Sequence, residues 1–517
     1  MDSPANMLRV AVEGYASAHS YEPGDTLSVH CSSEVPRFDV EIVRCGRERE
    51  VVWGGNGITG EEHALPDDPG QHGCGWPVSF EVEIPEEWRP GYYEVVFSWE
   101  GKDPDELSLP AFFFLRAPRA SASRPSILLV ASTATYMAYN DWNHSKSLYT
   151  GGVRVSSQRP LPPGFLTRPP GVELQVAAPV GEYDPEYELK RSAFEEHRLS
   201  GWCLGAGFFQ WERPFAEWCE EEGIELDYAV STDLEFRPEV LEDRSLVVSV
   251  GHDEYWSWGM RDNMEAYIAA GGNAMFLSGN AVYWQVRFED EGRTMVSYKY
   301  AAPRLDPEAG TERQTGIWSD FAVGRPENEL TGVSFTHGGY VRAGYGVPHG
   351  SGGYTVWRPE HWIFEGTDLR YGDLLGNEHG VVGFEADGCE LGFGEDGLPY
   401  ATNRDGTPEG FEVLGTSPAR LWTLDDLPPT APPVEGGYGD MEYTQWRVFD
   451  VDPGNTPQSE LEPRVRHIAH GNAVMGMYTK GGTVFTSGCT DWTCGIEGRD
   501  PVIVQITRNL IRRLGGA

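Results

Sequence analysis

The chain is 517 residues long, with a formal net charge of −40, 39% hydrophobic and 12% aromatic residues. That length exceeds one domain and buries sizeable cores. A surface this acidic excludes nucleic acid and anionic membranes as partners, because both require a basic face. Only five of the 40 basic residues are lysine, a balance that suits high salt or reflects genomic composition. The chain opens Met1-Asp2-Ser3-Pro4 without a basic or apolar leader, and no run reaches membrane length. A soluble, cytoplasmic protein is the expectation. The eight cysteines (31, 45, 74, 203, 219, 389, 489 and 494) form no CxxC pair. They read as free buried thiols rather than a zinc site, with a Cys31–Cys74 or Cys31–Cys45 bridge left open.

From Met7 to about Arg116 the pattern is all-β. Leu8 to Glu13 and Phe80 to Ile84 alternate apolar and polar residues, and Tyr92–Phe97 and Ala111–Leu115 are further strands between Gly/Pro/Asp turns. This predicts an immunoglobulin-like β-sandwich over residues 1–119, an accessory or packing module whose exposed aromatics also allow carbohydrate binding. Ala117 to Pro125 is linker-like in composition. A second domain, 120–517, opens with the apolar strand Ser126–Ala131. It runs into Ser132–Trp142, which holds Tyr136 and Tyr139, and a long polar, Pro-rich excursion follows from Ser147 to Pro169, with Tyr149 near its start. Loops of that length inside an α/β domain carry function or disorder.

Pro214 to Glu222 predicts a helix stopped by Gly223, and Ile224–Val230 the next strand. Leu246–Val250 is a strand buried on both faces. It ends in Gly251-His252-Asp253-Glu254-Tyr255-Trp256. Met260, Met264, Tyr267 and Ile268 fall at helical spacing before Gly271-Gly272, and Ala274–Leu277 is another buried strand, ending in Ser278-Gly279-Asn280. Beyond this point strand-like segments recur at Tyr354–Trp357, Val381–Glu385 and Thr483–Thr486, and Ile503–Leu514 forms a last helix. Strands flanking helices predict one parallel sheet, and chemistry gathers at the carboxyl ends of its strands. Tyr136, Tyr139 and Tyr149, then His252 and Glu254, then Asn280 all fall at that edge.

The segments TYMAYNDW, SLYTGG, GHDEYW and LSGNAVYW, in this order, resemble the catalytic large subunit of N,N-dimethylformamidase. The resemblance runs from about Pro125 to the C-terminus and takes in GFEADG and GGTVFTSG. It implies a glutamine-amidotransferase-like α/β domain with β-rich insertions. It also implies a mononuclear non-haem iron, ferric by the hardness of its oxygen ligands. By motif the iron ligands would be Tyr139, Tyr149 and Glu254, with Tyr136 competing for the first place. His252 and Asn280 would stand beside them, and Glu385 would be the additional catalytic carboxylate, with Glu390 as its competitor. The chain is shorter than that large subunit. Only nine residues separate Tyr139 from Tyr149, where the formamidase has a much longer insertion.

The function so implied is iron-dependent hydrolysis of carbon–nitrogen amide bonds in a small, formamide-like molecule. The nucleophile would be metal-activated water, with a carboxylate moving its proton. The partner is then a small-molecule amide, with no nucleic acid and no membrane; a homo-oligomer and a small accessory subunit stay open. Trp142, Tyr255, Trp256 and Trp284 are candidates for an apolar pocket wall. Two other readings remain: a carbohydrate-related or non-catalytic binding protein using the same sheet edge, and a non-haem iron oxygenase. The oxygenase would take His252 with Asp253 or Glu254, and His361 or His379 as its second histidine. No GxSxG elbow follows a strand, which disfavours a serine hydrolase.

Overall fold

A computed structural model describes residues 10–102, 109–118, 126–168, 172, 185–342, 348, 350–427, 437–451, 465 and 468–516, with backbone only for 185–190. The chain is mixed α/β. It divides into two compact units, one holding residues 1–175, 183–242 and 288–296, the other 176–182, 243–287 and 297–517.

In the first unit a three-stranded sheet (Val12–Ala16, Thr26–Ser33, Val78–Glu83) and a five-stranded sheet share one core. The larger sheet is ordered Ser20–Tyr21, Ala111–Leu115, Gly91–Ser98, Arg37–Cys45, Arg49–Thr59. Val12, Leu27, Val29 and Cys31 from the small sheet meet Phe38, Val40, Ile42, Tyr93, Val95 and Phe113 from the large one. These are alternating residues, so each strand turns its apolar side inward. The expected strand from Leu8 starts at Val12, and residues 1–9 lie outside the described ones. The unit also holds the strands Ile127–Ala131 and Leu226–Val230, parallel and in register from Ile127↔Leu226. Residues 119–125 of the expected linker lie outside the described residues.

The second unit carries the expected strand–helix–strand. Leu246–Gly251 and Asn273–Ser278 pair in parallel, and Trp258–Ala269 lies between them in the chain. Ser257 caps that helix by accepting from Met260 N at 3.2 Å, and its buried face is Met260, Arg261, Met264 and Ile268. Gly482–Thr486 adds a third parallel strand. Here the structure departs from a wholly parallel sheet. Gly471–Lys480, Glu412–Ala419, Tyr354–Val356 and Leu374–Leu375 continue it in antiparallel pairs. The cause is local: Gly481, at φ +85°, turns the chain straight back from Lys480 to Gly482 as a hairpin. The helix Pro501–Gly515, capped by Asp500, packs on the two central strands.

Two further boundaries differ from expectation. The run after Ile127–Ala131, given no element by the sequence, is the helix Thr133–Tyr139, so Tyr136 and Tyr139 sit one turn apart on it. The strand expected over Val381–Glu385 begins at Glu385 and runs to Gly388. All eight cysteines are free thiols, and all but Cys45 are buried. Among the described residues no helix is long and apolar enough to cross a membrane.

Candidate active site

The carboxyl ends of Leu246–Gly251 and Asn273–Ser278 are tied together by main-chain bonds. Gly251 turns the first strand aside at φ +79°, a left-handed conformation that favours glycine. Its carbonyl accepts from Gly279 N at 3.0 Å, while Val282 N donates to Asp253 O and Trp284 N to Glu254 O, each at 2.8 Å. Asp253 accepts from Ser249 Oγ at 2.8 Å; burial pushes its carboxyl up to about 6. It therefore reads as a braced structural acid. The neighbouring side chains, His252 and Glu254, instead meet Glu385 and Asn280.

His252, Glu254, Asn280 and Glu385 are all buried and meet at this edge. His252 Nε2 lies 2.7 Å from Glu385 Oε2 and 3.5 Å from Glu254 Oε2. Asn280 Nδ2 donates to Glu385 Oε2 at 3.1 Å and to Glu254 Oε1 at 3.3 Å. Trp284 Nε1 donates to the same Glu254 oxygen at 2.8 Å. Burial raises the Glu254 carboxyl above its ordinary range. The Glu385 charge adds to this, and His252, Lys299 and the Trp284 bond oppose it. Two carboxylates thus share one imidazole and one amide, out of water. Both hydrogens of the Asn280 amide face carboxylates, which fixes its orientation. Its Oδ1 is buried without a hydrogen-bond partner among the described residues. The open pole of Asn280 is an acceptor.

Other groups here escaped the sequence reading. Lys299 is buried, with Nζ 5.1 Å from the Trp284 ring centroid, and its charge favours ionised Glu254. Asp387 accepts from Asn280 N at 2.8 Å and from Ala281 N at 3.1 Å; burial outweighs these donors and pushes its carboxyl up to about 8. Asp440 accepts from Tyr300 OH at 2.6 Å and is pushed up to about 6, first by burial and then by the Glu385 charge. Asp387 was findable, since it follows Glu385 by two on one strand and so faces the same side. Lys299, Tyr300 and Asp440 lie in segments with no motif. Glu390 is engaged elsewhere: its carboxylate pairs with Arg404, and its N donates to Asp405 at 2.7 Å. Glu385 is the carboxylate that joins the cluster.

In the first unit, Tyr139 and Tyr149 come together. Tyr149 OH donates to Tyr139 OH at 2.7 Å, the ring centroids are 4.2 Å apart, and Trp202 packs on both. Leu148 N bonds Ala138 O at 2.9 Å and ties the loop to the helix. The Ser147 hydroxyl accepts from Tyr149 N at 3.1 Å. Gly205 leaves room for the Tyr139 ring, because a Cβ there would stand 2.9 Å from Cε1. Tyr136 has another task. Its hydroxyl donates at 2.7 Å to the buried Glu212, which separates it from the Tyr139–Tyr149 pair. Trp142 is likewise engaged, donating to Glu13 at 2.9 Å. Among the described residues no group of three or more His, Cys, Asp or Glu side chains is placed to hold a metal ion. His361 is paired with Glu412 at 3.6 Å.

The profile of the N,N-dimethylformamidase beta subunit-like family, C-terminal part, matches residues 39–504. The chain belongs to that family. The match begins well before Pro125, inside the first sheets. The N,N-dimethylformamidase beta subunit of an Alcaligenes species is 26% identical over 367 residues, covering 62% of this chain and 43% of the relative. That of Paracoccus aminophilus is 24% identical over 393 residues, covering 68% and 46%. The chain thus spans less than half the length of these dimethylformamidase subunits.

Proposed function

We propose that this protein hydrolyses the carbon–nitrogen bond of a small amide and that His252, Glu254, Asn280 and Glu385 form its reacting edge. The observation that carries this is the pairing of two buried carboxylates on one imidazole and one amide. A fold stabilised for its own sake avoids such like-charge crowding. The names of the two relatives support the substrate class. In the finer reading the first sheets are an immunoglobulin-like sandwich and the second domain is glutamine-amidotransferase-like.

The proposed metal is iron, with Tyr139, Tyr149 and Glu254 as its ligands. The donor chemistry fits, since phenolates and a carboxylate are hard oxygen donors that match a trivalent ion. The two phenol oxygens stand 2.7 Å apart, so the pair could be offered to one ion. When bound, ferric iron supplies a Lewis acid that polarises the amide carbonyl and acidifies water. The side chains do the rest. Glu385 takes the proton of the attacking water and hands it to the leaving amine nitrogen. His252, held against Glu385, orients that carboxylate and donates to the oxyanion once protonated. Asn280 serves the site with both ends of its amide. Its N–H groups hold the two carboxylates apart, and Oδ1 accepts from the attacking water or the amine.

Protein produced with iron supplied is expected to absorb visible light through phenolate–iron charge transfer and to release amine from short N-alkyl amides. Tyr149→Phe removes most of the colour. Failure to release amine from every amide tested would reject the hydrolase reading. A colourless, iron-free protein that still turns over would reject the metal alone.

A further inference from the structure

The turn that carries Asn280 is held in a conformation its residues resist. Asn280 has φ +49° and Val282 φ +57°; for a β-branched residue such a value is an outlier that only surrounding contacts maintain. Each main-chain N–H of this turn is bonded. Gly279 donates to Gly251 O at 3.0 Å and Val282 to Asp253 O at 2.8 Å, both ordinary main-chain ties. The two central ones go to a single side chain: Asn280 N to Asp387 Oδ1 at 2.8 Å and Ala281 N to Oδ2 at 3.1 Å. Gly279 lies so close to the same strand that a Cβ would come within 2.4 Å of Glu385 O. One short strand therefore grips Asn280 twice, Asp387 by its main chain and Glu385 by its side-chain amide.

Building on the function proposed above, we infer that Asp387 is a positioning residue. It clamps the Gly279–Val282 turn, left-handed at Asn280 and Val282, so that the Asn280 amide stands between Glu254 and Glu385. Asp387 itself touches no substrate. Without the clamp the turn relaxes towards an ordinary backbone, Asn280 leaves the two carboxylates, and these lose the group that keeps them at a fixed spacing.

Asp387→Asn keeps the shape but turns an N–H₂ towards one of two main-chain donors. The expected result is a loss of kcat of about 10–100-fold, the usual cost of removing such a supporting contact, with KM little changed and the melting temperature recorded alongside. Because Asp387 acts through Asn280, adding Asp387→Asn to Asn280→Ala costs little more than Asn280→Ala alone. Additive losses, or full kcat in folded Asp387→Asn, overturn the inference. Amide hydrogen exchange resolved at single residues tests the clamp without any activity. Asn280 and Ala281 should lose protection in Asp387→Asn, while Gly279 and Val282 keep theirs. If the wild type releases amine from no amide, the proposed function fails, and exchange alone decides the clamp. Unchanged protection at Asn280 and Ala281 overturns it.

Discussion

Two buried glutamates, each beside a strand's carboxyl end, have opposite surroundings. Glu212 collects neutral donors on one oxygen: Ser132 N at 3.2 Å, Ser132 Oγ at 3.0 Å and Tyr136 OH at 2.7 Å. Burial pushes it up to about 7, with those donors opposing. Glu254 instead faces a second carboxylate, an imidazole and an amide whose oxygen has no hydrogen-bond partner among the described residues. The first acid is satisfied, which is what structure requires of a buried polar group. The second is crowded by like charge and held by a strained turn, features that persist only where surrounding contacts over-determine them. Burial is common to both carboxylates; like-charged company is what sets Glu254 apart.

The largest effect that tests this contrast is on turnover. Glu385→Gln is expected to lower kcat by about 10²–10⁴, the contribution of a general acid–base group, while melting at or above the wild-type temperature because a like charge is gone. Glu212→Gln should leave kcat near wild type; equal losses in the two variants would erase the distinction. Next is stability. Glu212→Ala orphans the buried Ser132 and Tyr136 donors and is expected to cost about 1–3 kcal/mol in urea unfolding, with bound iron unchanged. A loss of iron instead would place Tyr136 among the ligands.

The gentlest effect is in pH. Glu212 rises from 4.5 to about 7, Asp253 and Asp440 from 3.8 to about 6, and Asp387 from 3.8 to about 8. The folded state therefore binds these protons more tightly than the unfolded one. Their contribution is complete below about pH 4 and is lost as pH climbs through 6 to 8. The urea midpoint should fall steadily from pH 5 to pH 8. Glu212→Gln, which never ionises, should flatten that slope. A midpoint rising over this range would contradict the burial effect.

Much of this site was legible in local pattern. The runs Leu246–Val250 and Ala274–Leu277, with helical spacing between them, predicted a strand–helix–strand unit, and the structure has it. His252, Glu254 and Asn280 fell at the strand ends because apolar periodicity stops there. The preference for Tyr139 over Tyr136 rested on motif alone. Both sit on one short helix, and the hydroxyl of Glu212's partner is decided by a residue 76 positions away.

By itself the sequence determined the local elements, their polar ends and the family, because periodicity, capping and turn residues act over a few positions. Only the tertiary structure decided which side chains meet. It joined Glu385 to His252 and Asp387 to the Asn280 turn, pairs more than 100 residues apart. It also reversed the outer strands of the sheet. A strand's apolar pattern reads the same in either direction, so pairing direction comes from the turns and partners that the fold supplies.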